Sequence, residues 1–192
     1  AIHTIAKKGY LRSKPDSGLY FAQIEYDFAK ATKNQKGMAA ALNTQGISNY
    51  YLGNYSKSLR CYNESLKLKK LLGDEKGVAI SYNNIGVIHK QQSNFSLALS
   101  CFNNSLTIFK NISDIKHIAM ATLNIGTVYK RQGNYPRAMD FFVQSLKIYK
   151  EIDDKMGIAN TYLNIGSIYR LQANYNKALE YYYKNLRIYE EL

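Results

Sequence analysis

Residues 120–130 read M-A-T-L-N-I-G-T-V-Y-K, and closely similar stretches stand forty residues earlier and forty residues later. The earlier stretch, residues 80–90, is I-S-Y-N-N-I-G-V-I-H-K, and the later one, residues 160–170, is N-T-Y-L-N-I-G-S-I-Y-R. In all three, a basic residue follows the Asn of N-I-G by six positions. Self-similarity at a fixed period indicates a repeat architecture, so the repeat has to be defined before a fold is assigned.

The forty-residue period runs through all 192 residues without an insertion. Residues 1–35 match the last 35 positions of a unit, and the fourth full unit ends three residues short, so we expect a fragment of a longer protein. The prediction is one array over residues 1–192, formed by a truncated repeat (1–35) and four further repeats, 36–75, 76–115, 116–155 and 156–192.

The residue pattern of each unit predicts two helices. The second helix carries apolar residues at i, i+1, i+4, i+8 and i+11, a spacing typical of an amphipathic helix. In the second unit these residues are Ala98, Leu99, Phe102, Leu106 and Phe109, and in the fourth unit they are Ala178, Leu179, Tyr182, Leu186 and Tyr189.

Turn signals separate the two helices of a unit. Gly and Asn both tolerate the left-handed conformation that ends a helix. Pro136 falls in the first turn of the following helix, where its missing N–H is not needed. The turn dipeptides are Gly53-Asn54, Ser93-Asn94, Gly133-Asn134 and Ala173-Asn174.

A glycine recurs inside the first helix of every full unit, and Ala6 holds the position in the truncated one. Because Gly costs roughly 1 kcal/mol relative to Ala inside a helix, its return in register predicts close packing against a neighbouring helix. Small residues recur on the second helix and are expected to face that contact. The glycines are Gly46, Gly86, Gly126 and Gly166, and the small residues are Ser58, Ala98, Ala138 and Ala178.

The pattern resembles the tetratricopeptide repeat. Its signature positions are matched in the fourth unit by Tyr162, Ile165-Gly166, Tyr169, Ala178 and Tyr182, and they recur in register along the chain. The period is 40 instead of the family's 34. The Pro that usually closes the second helix is replaced by Lys70, Lys110, Lys150 and Glu190.

The longer period is similar to that of bacterial tetratricopeptide sensor and signalling proteins, kinesin light chains and Pins-type adaptors. The resemblance implies an all-α fold, a right-handed superhelical solenoid of antiparallel helix pairs with about ten helices. In this family the first helices line a concave groove. The resemblance therefore implies a protein- or peptide-binding scaffold or sensory module of a larger, bacterial-type signalling protein.

The predicted groove residues lie on the first helices at positions i, i+4, i+7 and i+11 and beside them. An amide side chain offers both a donor and an acceptor, so repeated Asn residues can pair with the backbone of an extended peptide. The residues are Asn84, Asn124, Asn164, Thr44, Val87, Thr127, Ser167, Lys90, Lys130, Arg131, Arg170, Tyr50 and Tyr51.

Two interpretations of these polar residues stay open. In the first, the Asn residues contact a peptide and the cations select acidic side chains or a carboxylate. In the second, the Asn residues cap or bridge neighbouring repeats and the cations are solvated. The first unit lacks both Asn and cation, so Thr44, Tyr50 and Tyr51 are expected to form a pocket for a hydrophobic anchor.

The net charge of +12 is spread along the chain without a basic block. It indicates either a solvated surface or an anionic partner. Nucleic-acid binding is therefore an alternative but a disfavoured one, and end-to-end self-association through the uncovered last helix is a third hypothesis. No apolar run is long enough to span a membrane, and no membrane contact is predicted. The compartment stays open between cytoplasm and, for a membrane kinase sensor, periplasm.

No catalytic constellation is recognisable, and the chain is predicted not to be an enzyme and to need no cofactor or metal. The three histidines, His3, His89 and His117, are scattered. The two cysteines, Cys61 and Cys101, stand one period apart and are predicted to be free thiols. The acidic pair Asp153-Asp154 is expected to cap a helix.

Overall fold

The computed structural model describes residues 14–192, and every regular element in this range is an α-helix. This confirms the all-α class, with nine helices in the described range. His3 and Ala6 lie outside it. The helices are α1 (Pro15–Ala31), α2 (Gln35–Tyr51), α3 (Tyr55–Leu71), α4 (Glu75–Gln91), α5 (Phe95–Asn111), α6 (Ile115–Arg131), α7 (Tyr135–Glu151), α8 (Lys155–Leu171) and α9 (Tyr175–Glu190).

The chain divides into two compact units, Ala1–Asn94 and Phe95–Leu192. In the first unit, α1 to α4 pack in chain order, each helix against the next, and in the second unit α5 to α9 do the same. Three residues join successive helices in each unit, which makes neighbouring helices antiparallel. The predicted alternation of helices is found: α2, α4, α6 and α8 stand at the first-helix positions of the four full repeats, and α3, α5, α7 and α9 at the second-helix positions. Within the units, α2 packs against α3, α6 against α7 and α8 against α9.

The turns between paired helices contain a residue with positive φ, as the turn signals predict. Gly133 has φ 76°, and Ala173 adopts 58° although it carries a Cβ. The Asn that follows has another role. Asn134 has φ −82°, and its side chain accepts a hydrogen bond from the N–H of Arg137, so it begins α7; Asn174 begins α9 in the same way. In these two turns the left-handed conformation thus falls on the residue before the Asn.

The acidic joint before α8 caps that helix. The Asp154 side chain accepts a hydrogen bond from the Gly157 N–H at 3.0 Å, as expected, whereas Asp153 supplies the positive φ of 51°. Lys116 Nζ lies 2.7 Å from the second carboxylate oxygen of Asp154, and this hydrogen bond lowers the pKa of that carboxyl group. The cap therefore also ties the start of α6 to the start of α8.

Three of the recurring helical glycines, Gly46, Gly126 and Gly166, lie against aromatic rings. A Cβ added to Gly126 would lie 2.6 Å from Cε1 of Phe142, closer than real Cβ contacts occur. The predicted close packing is thus confirmed, and the ring of the second helix is the nearest neighbour. The small residues lie near as well, because Ser58 Oγ donates a 2.7 Å hydrogen bond to the Gly46 carbonyl. The other two close pairs are Gly46–Tyr62 at 2.5 Å and Gly166–Tyr182 at 2.7 Å.

Buried serines join the two helices of a pair. Ser65 Oγ donates to the Ala39 carbonyl at 2.8 Å, and Ser145 Oγ donates to the Ala119 carbonyl at 2.9 Å. Both serines are completely buried, so each bond satisfies a hydroxyl group that burial would otherwise leave without a partner. The sequence analysis missed this pairing, although the dipeptide Ser-Leu recurs every forty residues at 65–66, 105–106 and 145–146.

Candidate functional site

Side-chain hydrogen bonds link the two first helices of the first unit, α2 and α4. Asn84 Nδ2 donates to Asn43 Oδ1 at 3.3 Å, and Gln91 Nε2 donates to the Tyr50 hydroxyl at 3.2 Å. Both bonds join residues that are 41 positions apart in the sequence. The second bond lies two helical turns further along the two helices than the first. Asn84 therefore bridges neighbouring repeats while keeping a second N–H donor.

The tyrosines at the end of α2 form the apolar part of this face. The rings of Tyr50 and Tyr51 meet edge to face with centroids 5.4 Å apart, and Tyr51 is 46% exposed. Thr44 is only 3% exposed, and its hydroxyl donates to the carbonyl of Ala40 in its own helix. Thr44 thus offers a ligand almost no surface in this conformation. The surface that the first repeat can offer a ligand belongs to the tyrosines.

On α4, Val87 and Lys90 are half-buried, so both present part of their side chains to solvent. His89, which lies between these two residues in the sequence, has a buried Nδ1, and burial lowers the pKa of its imidazole. A lowered pKa keeps His89 neutral at physiological pH, which fits a packed ring better than a charged ligand-binding group.

In the second unit, Lys130 and Asn164 connect the first helices α6 and α8. Lys130 Nζ donates to Asn164 Oδ1 at 2.8 Å, and Asn164 Nδ2 donates to the Asn160 carbonyl at 2.8 Å. The two bonds fix the orientation of the amide. They use one of its donors and one acceptor position, so a further donor and acceptor remain for a ligand.

Three cations gather around this bridge. The pKa of Lys130 is lowered first by burial and then by the positive charges of Arg131 and Arg170. These arginines are exposed, whereas Lys130 is half-buried. Because like charges held together are mutually destabilising, an anionic group placed among them would be favourable.

Hydroxyl and amide groups lie along the same two helices. Thr127 Oγ1 donates to the Asn124 carbonyl at 2.7 Å, and both residues are half-buried, as is Ser167 on α8. The second unit therefore brings together hydrogen-bonding groups and cations. This combination suits a peptide backbone with acidic side chains and provides no nucleophile–base pair.

Five other cations of the described residues lie over tyrosine rings. Within each unit, Lys and Arg side chains approach ring centroids to 4.7–5.9 Å, the range of cation–π contacts. These cations help to cover aromatic surface between helices. The pairs are Lys70–Tyr82, Arg137–Tyr129, Lys150–Tyr162, Lys177–Tyr169 and Lys184–Tyr181.

Cys61 and Cys101 are free thiols, as predicted. Both are half-buried, and burial raises the pKa of each thiol, which keeps the reactive thiolate scarce. In residues 14–192 no group of three or more His, Cys, Asp or Glu side chains is arranged to hold a metal ion. The helices of that range are also too short or too polar to cross a bilayer.

The antiparallel helix pairs, the buried small residues and the hydrogen-bonded first helices define a helical-repeat protein. The family model of the tetratricopeptide repeat matches residues 37–111 and 117–191, so the chain belongs to the tetratricopeptide repeat family. No curated protein sequence matches the chain significantly.

Solved structures share this fold at low sequence identity. A Rap protein complexed with Competence and Sporulation Factor matches with a TM-score of 0.80 and 13% identity, over 99% of this chain and 63% of that one. The Rap conjugation gene regulator of plasmid pLS20, in complex with the Phr* peptide, has a TM-score of 0.74 and 17% identity, over 83% of this chain and 44% of that one. A kinesin light chain repeat protein of Podosopora anserina has a TM-score of 0.69 and 9% identity, over 99% and 94%.

This chain thus spans less than two thirds of either Rap protein. At these identities the similarity establishes the fold.

Proposed function

We propose that the protein is a peptide-binding part of a larger signalling protein and that it holds an extended, acidic segment on the faces of its first helices. The observation that carries the proposal is the cation group of Lys130, Arg131 and Arg170 around the amide of Asn164. A carboxylate placed there would relieve like-charge repulsion and accept charge-assisted hydrogen bonds.

The amides supply the part of the site that does not depend on peptide sequence. Asn84 and Asn164 are each held by side-chain hydrogen bonds, so binding does not have to order a free side chain. Each retains groups that can pair with a peptide N–H or C=O. Bridging between repeats and contact with a peptide are therefore compatible roles for the same residue.

Two of the structurally similar Rap proteins support a peptide as the ligand class, since one is complexed with Competence and Sporulation Factor and the other with the Phr* peptide. Nucleic acid is the alternative ligand of a basic surface. It is disfavoured because the cations form no basic block along the chain and five of them already lie over the chain's own tyrosines.

The test is a peptide-array screen with the wild-type protein, followed by affinity measurements on the selected peptide. Replacing both Asn124 and Asn164 by Ala should weaken binding about tenfold or more, because each lost hydrogen bond is worth about 0.5–1.5 kcal/mol. The matched control replaces Asn103 and Asn104, which are exposed on α5, by Ala and should bind like the wild type. Equal affinity of both double variants would overturn the amide role.

The charge contribution is tested separately. Lys130→Glu combined with Arg131→Glu should slow association with the acidic peptide and flatten its salt dependence. Lys110→Glu combined with Lys147→Glu changes the net charge equally on exposed positions of second helices and should have a much smaller effect. If both pairs act alike, the general charge of the chain, and not the cation group, attracts the partner. Tighter binding of a labelled oligonucleotide than of the peptide would favour the nucleic-acid alternative.

A further inference from the structure

A cleft opens on the first unit, away from the residues assigned to peptide binding. Its volume is about 520 Å³, within the range of small-ligand sites. Helices α1, α2 and α3 form it together with the turn before α3, and its lining combines polar and apolar surface in similar amounts. The lining residues that matter here are Gln23 of α1, Gln45 and Asn49 of α2, and Lys57, Arg60 and Cys61 of α3.

The cleft lies where the later repeats carry stacked aromatic rings. Asn49 and Cys61 occupy two repeat positions that are both aromatic in the third and fourth repeats. There the rings stack in pairs inside the second unit. These pairs are Tyr129–Phe141, with centroids 5.5 Å apart, and Tyr169–Tyr181, with centroids 5.6 Å apart. The first repeat has thus lost two rings and has a cleft in their place.

The cation that covers the ring in later repeats is still present. Arg137 lies over the ring of Tyr129 at 5.4 Å, and Lys177 lies over the ring of Tyr169 at 5.3 Å. Lys57 holds the same repeat position and lines the cleft. The first repeat therefore keeps the cationic cover and lacks the ring beneath it.

Asn49 brings a hydrogen-bond acceptor that has no partner. Its side chain is 4% exposed, and its Nδ2 donates to the Gln45 carbonyl at 2.9 Å, which fixes the orientation of the amide. The other amide atom, Oδ1, is buried with no hydrogen-bond partner. Burial of an unsatisfied acceptor costs free energy, which a ligand donor would recover.

We propose that this cleft binds an aromatic side chain that carries a hydrogen-bond donor, namely a Tyr or Trp residue presented by a partner protein. The ring enters the place that the chain's own rings fill in later repeats and lies beneath Lys57, and its O–H or N–H donates to Asn49 Oδ1. Arg60 and Lys57 outnumber Asp16 at the cleft, so acidic residues beside the aromatic residue are favoured. This site is independent of the first-helix faces, because the lining side chains belong to a different side of α2 together with α1 and α3.

The test is an NMR titration of the full 192-residue chain with N-acetyl-tryptophanamide, compared with N-acetyl-phenylalaninamide, which has no ring donor. The indole should shift the resonances of the cleft residues and bind about threefold or more tightly than the phenyl analogue. Lys57→Ala should weaken the indole about threefold through the lost cation–π contact, and Lys67→Ala, exposed on the same helix, should not.

Asn49→Tyr would restore the ring of the later repeats and fill the cleft from within, so it should abolish indole binding. Asn49→Leu removes the acceptor without adding a ring and keeps the test valid if the tyrosine variant does not fold, which thermal unfolding checks. In the Asn49→Leu variant, the affinity for the indole should fall to that for the phenyl analogue. No saturable shifts up to about 10 mM, equal affinities of the two probes for the wild type, or unchanged indole binding by a folded Asn49 variant would each overturn the proposal.

Discussion

At Gly126, the absence of a Cβ atom allows α6 and α7 to approach closely. The ring of Phe142 packs against the glycine and is completely buried, so it has no free space into which it can move. We predict that Gly126→Ala lowers the free energy of unfolding by a net amount of up to about 2 kcal/mol, since overpacking usually costs about 1–3 kcal/mol. This cost should outweigh the roughly 1 kcal/mol that Ala gains in helix propensity. Urea denaturation measures the difference.

A double-mutant cycle isolates this contact. In a Phe142→Leu background the ring is gone, and the added methyl group of Gly126→Ala should cost clearly less than in the wild type. The same loss in both backgrounds would mean that the ring is not the reason for the glycine.

Lys69 is an unusual buried cation of the first unit. It is 7% exposed and donates a 2.9 Å hydrogen bond to Ser81 Oγ, which itself donates to the Gly77 carbonyl. Phe109 and Tyr149 hold the same repeat position in the second unit. Burial is the main cause that lowers the pKa of Lys69 below 10.5. The charged form is thus less stable in the folded state than in the unfolded state.

Replacing this lysine by Met should raise the free energy of unfolding at pH 7 by about 1 kcal/mol, because a buried charge is removed and Ser81 keeps its bond to Gly77. Between the folded-state and unfolded-state pKa values the unfolded wild type binds more protons, so wild-type stability rises with pH in that window. The advantage of Lys69→Met should therefore shrink as the pH approaches about 10.5.

Lys67→Met, at an exposed position of the same helix, is the control and should change stability little at either pH. A destabilised Lys69→Met protein, or a stability difference that does not vary with pH, would contradict the argument for a costly buried charge.

Among whole elements, α9 differs most from its counterparts. Its sequence has the same apolar stripe as α7, but Leu179 is 53% exposed, Leu186 49% and Tyr189 45%. The matching positions of α7, which packs against α8, are half-buried or buried, and Tyr149 is 5% exposed. Within the described residues no helix follows α9, and its apolar stripe is exposed.

We expect the 192-residue chain to self-associate through this stripe, since an exposed apolar face of this kind is a typical protein contact. Sedimentation analysis should give a mass that rises with concentration, and Leu179→Lys combined with Leu186→Lys should suppress the rise without lowering thermal stability. The control is Leu97→Lys combined with Val143→Lys. These two aliphatic side chains are similarly exposed, 53% and 54%, and their replacement should leave association unchanged. A concentration-independent mass of the wild type would exclude this contact.

The helix order, the turns and the glycine contacts could be predicted because they follow from a period repeated in register. The side-chain contacts between different helices could not. The serine bonds and the cations over tyrosines need the distance between helices, which no spacing within one helix provides. The cleft at Asn49 has a signal in hindsight, since Asn and Cys stand where the third and fourth repeats have two aromatic residues.

The sequence predicted on which helix faces the candidate site lies, but not the contacts within it. The sequence placed Asn164 and Lys130 on neighbouring first helices, and it left open whether the amides bridge repeats or bind a peptide. The structure gives Asn84 and Asn164 bridging bonds with further hydrogen-bonding capacity. The recurrence of a basic residue in each repeat could not show that an amide would hold Lys130 or that two further cations would lie near it.

For the molecule as a whole, the net charge of +12 has two physical uses. Cations on second helices cover tyrosine rings and contribute to packing. The group on α6 and α8 concentrates positive charge on a first-helix face. The account therefore expects an acidic partner to find this face in preference to the rest of the basic surface.

The most direct test of that central claim is an NMR titration of the chain with an acidic peptide selected on the array. We predict that the largest shifts fall on α6 and α8, at Asn124, Thr127, Lys130, Asn164 and Ser167. Shifts confined to the second helices α7 and α9, with α6 and α8 unchanged, would contradict it.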